Sequence, residues 1–516
     1  MISRRRLLRQ TPVAVAATGL GGCVTPTALP SGGVFAHGVA SGDPLADRVI
    51  LWTRVSTSQT PATTVRWWIA EDEAFTKVRN RGEVQALASA DYTVKIDAAG
   101  LDAARTYYYR FAALGAESPV GRTRTLPSVA VPRVRLAVAS CANYPYGYFN
   151  VYRRIAERSD LDAVIHLGDY LYEYEPGNYD DDSKLGRRHF PPREILSLSD
   201  YRLRHAQYKT DPDLQDAHRL HPWICVWDDH ESTNNSWLGG AENHNAGEGD
   251  WQTRKRLAIQ AYHEWMPIRA QPMNAKGLQI YRNFRFGETA DLIMLDTRLH
   301  GRSEQLADGK DPAALRDPQR SLLGQDQAAW LRTQLTASQQ RGARWRVLGQ
   351  QCMFGQLEDD ERLILNTDQW DGYPLDREAV LDQLESQRID NTVVLTGDIH
   401  SAWGLDITRD PFASSYDPAT GKGSLAVELI CSSVTSPTPF GNREQAAERE
   451  RSVVRDRPHI HWVNFQDRGY LLLDLDDTRA QAQWWLVDTV ERSNHTERLA
   501  ATMVTESGAN HLVKSG

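Results

Sequence analysis

Asn391-Thr392-Val393-Val394-Leu395-Thr396-Gly397-Asp398-Ile399-His400 is the stretch on which the fold turns. A β-prone, mostly apolar run carries no charge until it meets Asp398 and His400. Such a run reads as a strand covered on both faces, as in parallel sheets flanked by helices. Ligands in those sheets gather outside the carboxyl ends of the strands. Three other runs end in the same way. Val134 to Ser140 stops at Cys141. Ala163 to Gly168 stops at Asp169, with Tyr172 close behind. Trp223 to Trp227 stops at Asp228-Asp229-His230-Glu231. Remote parts of the chain are thus predicted to bring a thiol, carboxylates, a phenol and imidazoles to one rim.

That set of donors suits cations. Carboxylate oxygens prefer hard divalent or trivalent ions. A thiolate and a phenolate add anionic donors that favour a highly charged ion such as ferric iron over zinc. Cys141, Asp169, Tyr172, Asp229, Asp398 and His400 would crowd a single ion, so at least two are expected, with a carboxylate bridging. Clustered ions neutralise phosphoryl oxygens and acidify a bridging water. Each residue alone has an ordinary reading: a turn or cap for the aspartates, core filling for Cys141 and Tyr172, a buried hydrogen-bonded His400. Four strands ending alike carry the signal.

Around these strands the pattern alternates with helical stretches at Tyr148–Glu157, Leu198–Lys209, Gln252–Met266, Gln325–Ser338 and Arg377–Ser386, an α/β arrangement over residues 129–516. Gly469 to Val487 returns to strands and predicts a sheet edge built late. Residues 31–128 differ. Arg48–Arg54, Thr64–Ile69, Tyr92–Ile96 and Thr106–Phe111 are short alternating or β-rich segments with no helix between them, which predicts a seven-strand, fibronectin-III-like β-sandwich. Leu126 to Pro132 is the linker.

Residues 1–30 read as an address. Ser3-Arg4-Arg5-Arg6-Leu7-Leu8-Arg9, a short apolar stretch and Leu20-Gly21-Gly22-Cys23 resemble a twin-arginine signal with a possible lipobox, followed by a Pro/Ser/Gly tether. The expectation is passage through the twin-arginine export machinery and a periplasmic or otherwise extracytoplasmic location. A lipid on Cys23 would give a membrane anchor rather than a span. Cys141, Cys225, Cys352 and Cys431 are widely spaced and expected to be mostly free, buried thiols.

Composition limits the alternatives. With 516 residues, 41% hydrophobic and 24% charged, the chain is globular. A net charge of −8 argues against a nucleic acid as a stable partner, which calls for a basic face. No internal apolar run reaches the ~18–20 residues of a membrane span.

Gly168-Asp169-Tyr170-Leu171-Tyr172-Glu173, Trp227-Asp228-Asp229-His230-Glu231 and Leu395-Thr396-Gly397-Asp398-Ile399-His400 resemble the motifs of the PhoD-type alkaline phosphatases, a branch of the calcineurin-like metallophosphoesterases. The likeness extends through Tyr201–His205, Tyr208–Leu214, Met294–Arg298 and Asp368–Pro374. It implies a four-layer αββα metallophosphoesterase sandwich and an extracytoplasmic phosphatase acting on small phosphate mono- or diesters with Fe3+ and Ca2+. By position, Cys141 and Tyr172 would bind iron and Asp169 would bridge to a second ion. Asp229, Asp398 and His400 would complete the shells. His230 stands where the superfamily carries its catalytic histidine, and is assigned to the phosphoryl oxygen or the leaving group. The superfamily's first Asp-x-His motif is replaced here by Ser140-Cys141.

Phosphate also calls for arginine. Arg204 and Arg298 are the candidates, and structural ion pairs are their alternative. Asn234 and Asn235 are candidates for orienting phosphate or water. His459 and His461 match no ligand motif and are read as structural. The expected reaction is a one-step in-line displacement by a hydroxide or oxide held between metals, without a covalent intermediate. A phospholipase D-like phosphodiesterase would use the same core. A non-catalytic surface-binding protein would need no metal rim. A chain with structural calcium alone, at Asp180-Asp181-Asp182, would not need Cys141 or Tyr172.

Overall fold

The structure is a computed structural model that describes residues 33–57, 61–179, 185–269, 277–357 and 364–515. The twin-arginine segment, Cys23 and Asp180-Asp181-Asp182 lie outside the described residues.

The four apolar runs form parallel strands in two sheets. In the first, Val134–Ala139 pairs with Ala163–His166, and that strand with Pro222–Cys225, all parallel. In the second, Ala290–Met294, Trp345–Gln350 and Thr392–Thr396 run parallel. Every residue of the Thr392–Thr396 strand is buried, as its uninterrupted pattern predicts, and so is every residue of Trp345–Gln350, Arg346 and Gln350 included. The sheets face each other across one core that includes Val138 and Ile165 from the first and Val347 and Leu395 from the second. Trp484 seals this layer, donating from its indole to the Ile430 carbonyl at 2.9 Å. Val151, Ile155 and Leu214, from helices Asn150–Ala156 and Pro212–Leu220, pack against the first sheet. Leu331 and Leu335 of Gly324–Arg341, and Leu381 and Leu384 of Pro374–Ser386, cover the second. These are four layers, α, β, β, α.

The helices predicted from periodicity are all present, with ends shifted by a few residues: Asn150–Ala156, Leu198–Tyr208, Trp251–Trp265, Gly324–Arg341 and Pro374–Ser386. The late strands are present too. Gly469–Leu475 lies antiparallel to Val134–Ala139, and Arg479–Val487, Glu497–Glu506 and Val513–Lys514 continue outward to the sheet edge.

The N-terminal β-sandwich has its own core, built on Val49, Leu51, Val65, Ile69, Tyr107, Tyr109 and Phe111. It is more closely joined to the rest than a linker suggests. Val39–Gly42 pairs in parallel with Pro222–Cys225, so one sheet of the sandwich continues the first sheet of the α/β body, ten strands in all. Trp52 adds a bond from its indole to the Glu264 carbonyl at 2.8 Å.

Cys141, Cys225, Cys352 and Cys431 are free and buried. Among the described residues no helix is long and apolar enough to cross a membrane.

Candidate metal centre

The loops that leave the parallel strands are tied to one another by their backbones. Cys141 N–H donates to the Gly168 carbonyl at 3.1 Å, and Ala142 N–H to the Asp169 carbonyl at 2.8 Å. Gly168 has φ 105°, and a Cβ there would lie 2.4 Å from the Cβ and the backbone nitrogen of Asp228. Only glycine lets the Asp169 and Asp228 loops approach this closely. Glu231 fastens both loops, accepting from the amides of Asp169 at 3.0 Å, Tyr170 at 2.7 Å and Asp228 at 2.9 Å.

This packing brings ligand atoms of Cys141, Asp169 and His400 within 4.8 Å of one another. The same holds for Asp169, Asp229 and His230, and for Asp228, Asp229 and Asp398. Asp169 and Asp229 are each shared between two of these groups, so the three are one continuous cluster. The Tyr172 hydroxyl joins the first group: it donates to Asp169 Oδ2 at 2.8 Å, lies 3.1 Å from His400 Nε2 and accepts from Ser436 at 2.7 Å. All six residues expected as ligands therefore meet at the strand ends.

Two features mark the cluster as built for cations. Asp169 Oδ1 and Asp228 Oδ2 are buried without a hydrogen-bond partner, a costly state for a carboxylate oxygen unless a cation completes it. Cys141, Asp169, Asp398 and His400 also hold positive φ, between 53° and 61°. Non-glycine residues occupy that region at a cost, and such costs concentrate at functional sites.

The electrostatics agree. Burial raises the Asp169 carboxyl well above the usual range, and the Asp229, Glu231 and Asp398 charges add to this while the His230 charge opposes it. Burial also raises the Cys141 thiol, with Asp169 adding to the effect. His230 shows the reverse balance. Burial opposes its charged form, but Asp229, Glu173 and Asp169 outweigh it and push the imidazolium up to about 10. Its Nδ1 lies 2.7 Å from Glu173 Oε2. Glu173, itself buried, also accepts from Thr233 Oγ1 at 3.0 Å, the Asn234 amide at 2.8 Å and Asn243 Nδ2 at 2.9 Å.

Two expectations are corrected. Arg204 is fully buried, and its guanidinium donates to the carbonyls of Tyr172, Tyr174, Phe190, Pro191 and Arg193. It pins the chain behind Tyr172 and offers nothing to a phosphate. Arg298 is in the cluster, but its nitrogens are taken by carboxylates. Nε donates to Asp228 at 2.5 Å, Nη1 to both oxygens of Asp368 at 2.9 and 3.0 Å, and Nη2 to Asp398 at 3.1 Å. Arg298 ties Asp228, Asp368 and Asp398 together. Asn235 sits beside the cluster, its amide N–H on Asp229 Oδ2 at 2.6 Å and its side chain on Glu242 at 2.6 Å.

Residues passed over in the sequence complete the rim. Asp228 belongs to it directly. Glu173, Glu231, Asp368 and Ser436 hold its members, and Gln369 donates to Asp398 Oδ2 at 2.6 Å. All but Ser436 stand inside the quoted motifs, and Asp228, Glu173 and Glu231 lie next to residues that drew attention for their ligand chemistry. Ser436 is recognisable only from the fold.

Comparison with known proteins places this geometry. Residues 136–484 match the family model for PhoD-like phosphatase, and residues 22–127 that for PhoD-like phosphatase, N-terminal domain. The chain is 38% identical to alkaline phosphatase D of Bacillus subtilis (strain 168) over 452 residues, covering 85% of this chain and 75% of that protein. It superposes on a solved structure of PhoD with a TM-score of 0.86 at 34% identity, covering 95% of this chain and 94% of that one. The chain belongs to the PhoD-like phosphatase family of hydrolases.

Proposed function

We propose that this chain hydrolyses small phosphate mono- or diesters outside the cytoplasm, using ferric iron and calcium. The carrying observation is that Cys141, Asp169, Tyr172 and His400 share one point while Asp228, Asp229 and Asp398 share its neighbour. The first group has the sulfur and phenol donors that suit ferric iron. The second is all carboxylate and suits calcium. Bound there, the ions would supply positive charge for phosphoryl oxygens and acidify water near neutral pH.

The chain's own residues do the remaining work. Glu173 fixes His230 through Nδ1, which directs Nε2 to the substrate as the proton donor for the departing oxygen. Asn234 and Asn235 border the same carboxylates and serve to orient phosphate. Arg298 keeps Asp228 and Asp398 at a set separation, acting through them. None of these steps needs a covalent intermediate. Residues 1–30 serve export by the twin-arginine route, with Cys23 as the possible site of a lipid anchor, and residues 31–128 and 129–516 are the sandwich and the catalytic domain.

The test is elemental analysis of protein taken from its native compartment, with parallel assays on a phosphate monoester and a diester. The expected result is iron and calcium with turnover of at least one ester type, and a visible tyrosinate-to-iron band that disappears in Tyr172→Phe. Metal-free protein that hydrolyses neither ester would end the proposal and favour a binding role.

A further inference from the structure

A second group of ligand-type side chains lies away from the rim. Asp406 is in the Ala402–Thr408 strand, four residues past Ala402 and so about 13 Å further from the site at about 3.3 Å per residue. His461 comes from the neighbouring Ile460–Asn464 strand, and His511 from the segment that follows Glu497–Glu506. One ligand atom of each lies within 4.8 Å of the others. His511 Nδ1 is 2.7 Å and His461 Nε2 3.1 Å from Asp406 Oδ2. In a tetrahedral zinc site with bonds of about 2.0–2.1 Å, neighbouring ligand atoms stand about 3.3 Å apart. The His461 separation is close to that, while His511 stands at hydrogen-bond distance and would move outward to share an ion.

The arrangement differs from a plain ion-pair array in one respect. His461 Nε2 is near the carboxylate yet makes no aligned hydrogen bond, and counts as a buried nitrogen without a partner. His511 Nδ1 hydrogen-bonds the same Asp406 Oδ2, so His461 Nε2 is the nitrogen whose lone pair or proton still lacks an aligned partner and that a metal would satisfy. The site is also held in advance. Asp406 Oδ1 accepts from the Leu512 amide at 2.9 Å, and the His511 amide donates to Thr505 Oγ1 at 3.2 Å. Asn510 Oδ1 accepts from the Asn391 amide at 2.9 Å. Gly421, at φ 71°, lets its turn close over His511; a Cβ there would lie 2.3 Å from His511 Cβ. Tyr416 donates to Asp406 Oδ2 at 2.9 Å, the outer-shell bond that orients a ligating carboxylate. His461 and His511 keep 16% and 10% of their side chains exposed, so the group lies near the surface rather than deep in the core.

We infer that Asp406, His461 and His511 form a zinc site separate from the catalytic rim, which clips the C-terminal segment to the second sheet. Two imidazoles and one carboxylate are a donor set for zinc rather than for calcium or ferric iron. His461, read from the sequence as structural, is then a ligand.

The full-length protein with its catalytic metals is incubated with zinc chloride, dialysed and analysed for metals, beside His461→Ala and Asp406→Asn. The wild type is expected to retain one zinc per chain more than either variant. Zinc is expected to raise its Tm, with no such rise in His461→Ala. His461→Ala should keep the iron and calcium content and the turnover of the wild type, which separates this site from the rim. Equal zinc in wild type and a folded His461→Ala, whether none or one, overturns the inference. His461 is partly exposed, so that variant stays informative even where Asp406→Asn fails to fold.

Discussion

The strand-end rim and the pocket around Lys209 both bury ionisable groups, and they do it in opposite ways. At the rim, Asp169, Asp228, Asp229 and Glu231 crowd together with His230 and Arg298 as the nearby cations. The backbone there is strained, and two carboxylate oxygens have no partner. Behind it, Lys209 lies buried with its Nζ 4.8 Å from the Trp52 ring, 5.3 Å from the Tyr170 ring and 3.1 Å from His218 Nε2. His205, His218 and Lys209 there belong to ordinary helices or their caps. Burial lowers Lys209 to about 7 and holds His205 near 3. The pocket thus discharges its groups by releasing protons. The rim is pressed the other way: burial raises its Asp169 and Asp228 carboxyls well above their usual range, so they discharge by taking up protons unless cations hold them as anions. Excess charge of one sign, held by strained backbone, is the mark of a site; a buried base in regular structure is the mark of a joint, here between the sandwich and the α/β body.

The sharpest way to break this contrast is at the shared carboxylate. Asp169→Asn is expected to cut turnover by roughly 10³-fold or more and to lower bound metal together with it. Metal content and rate would be measured on the same preparation, and full retention of both would remove Asp169 from its role. His230→Asn separates proton transfer from metal holding. A loss of roughly 10²–10³-fold in kcat with metal content unchanged is expected. A proportional loss of metal would make His230 a ligand instead. Gly168→Ala tests the strain without touching a donor. With its Cβ 2.4 Å from Asp228, the variant is expected to lose about 2–4 kcal/mol of stability and most bound metal. A wild-type urea midpoint together with wild-type metal content would show that the two loops need no such close approach.

How much of this was legible beforehand depended on burial. The site strands were readable because both faces are covered, so their sequences are apolar without interruption. Arg48–Arg54 was found residue for residue. Val78–Leu87 was missed, since only Ala86 within it is buried and its half-covered face begins with Asn80 and Gly82 rather than with apolar side chains. Helix Arg443–Asp456 was missed for the same reason, with Ala446 and Val453 as its buried residues. Pro212–Leu220 was missed although Asp211 caps it, Pro212 opens it and Leu214, Ala217 and His218 line its buried face. The six expected ligands converge because strand-end position is itself written in the sequence. The role of Arg204 was not, because nothing local tells an arginine facing a ligand from one turned toward backbone carbonyls. The shared ten-stranded sheet was equally hidden, since pairing between Val39–Gly42 and Pro222–Cys225 joins residues far apart in the chain.

The smallest expected effect lies on the other side of the comparison, and its sign can be worked out. Lys209 has an ordinary value of 10.5 and is lowered by burial to about 7 in the folded chain. Between these pH values the unfolded chain holds a proton that the folded chain has released, so stability rises with pH across that window. At and below about pH 7 the folded chain must bury the ammonium, and the cost is complete. Lys209→Met keeps the volume and removes the charge, at the expense of the contact with His218. It is expected to be more stable than wild type by about 1–3 kcal/mol at pH 7, a gain that shrinks to nothing or reverses by about pH 10. Urea midpoints at several pH values measure it. A gain that does not change between pH 7 and 10 would mean that Lys209 takes up and releases its proton alike in both states, and the contrast with the rim would then rest on backbone strain alone.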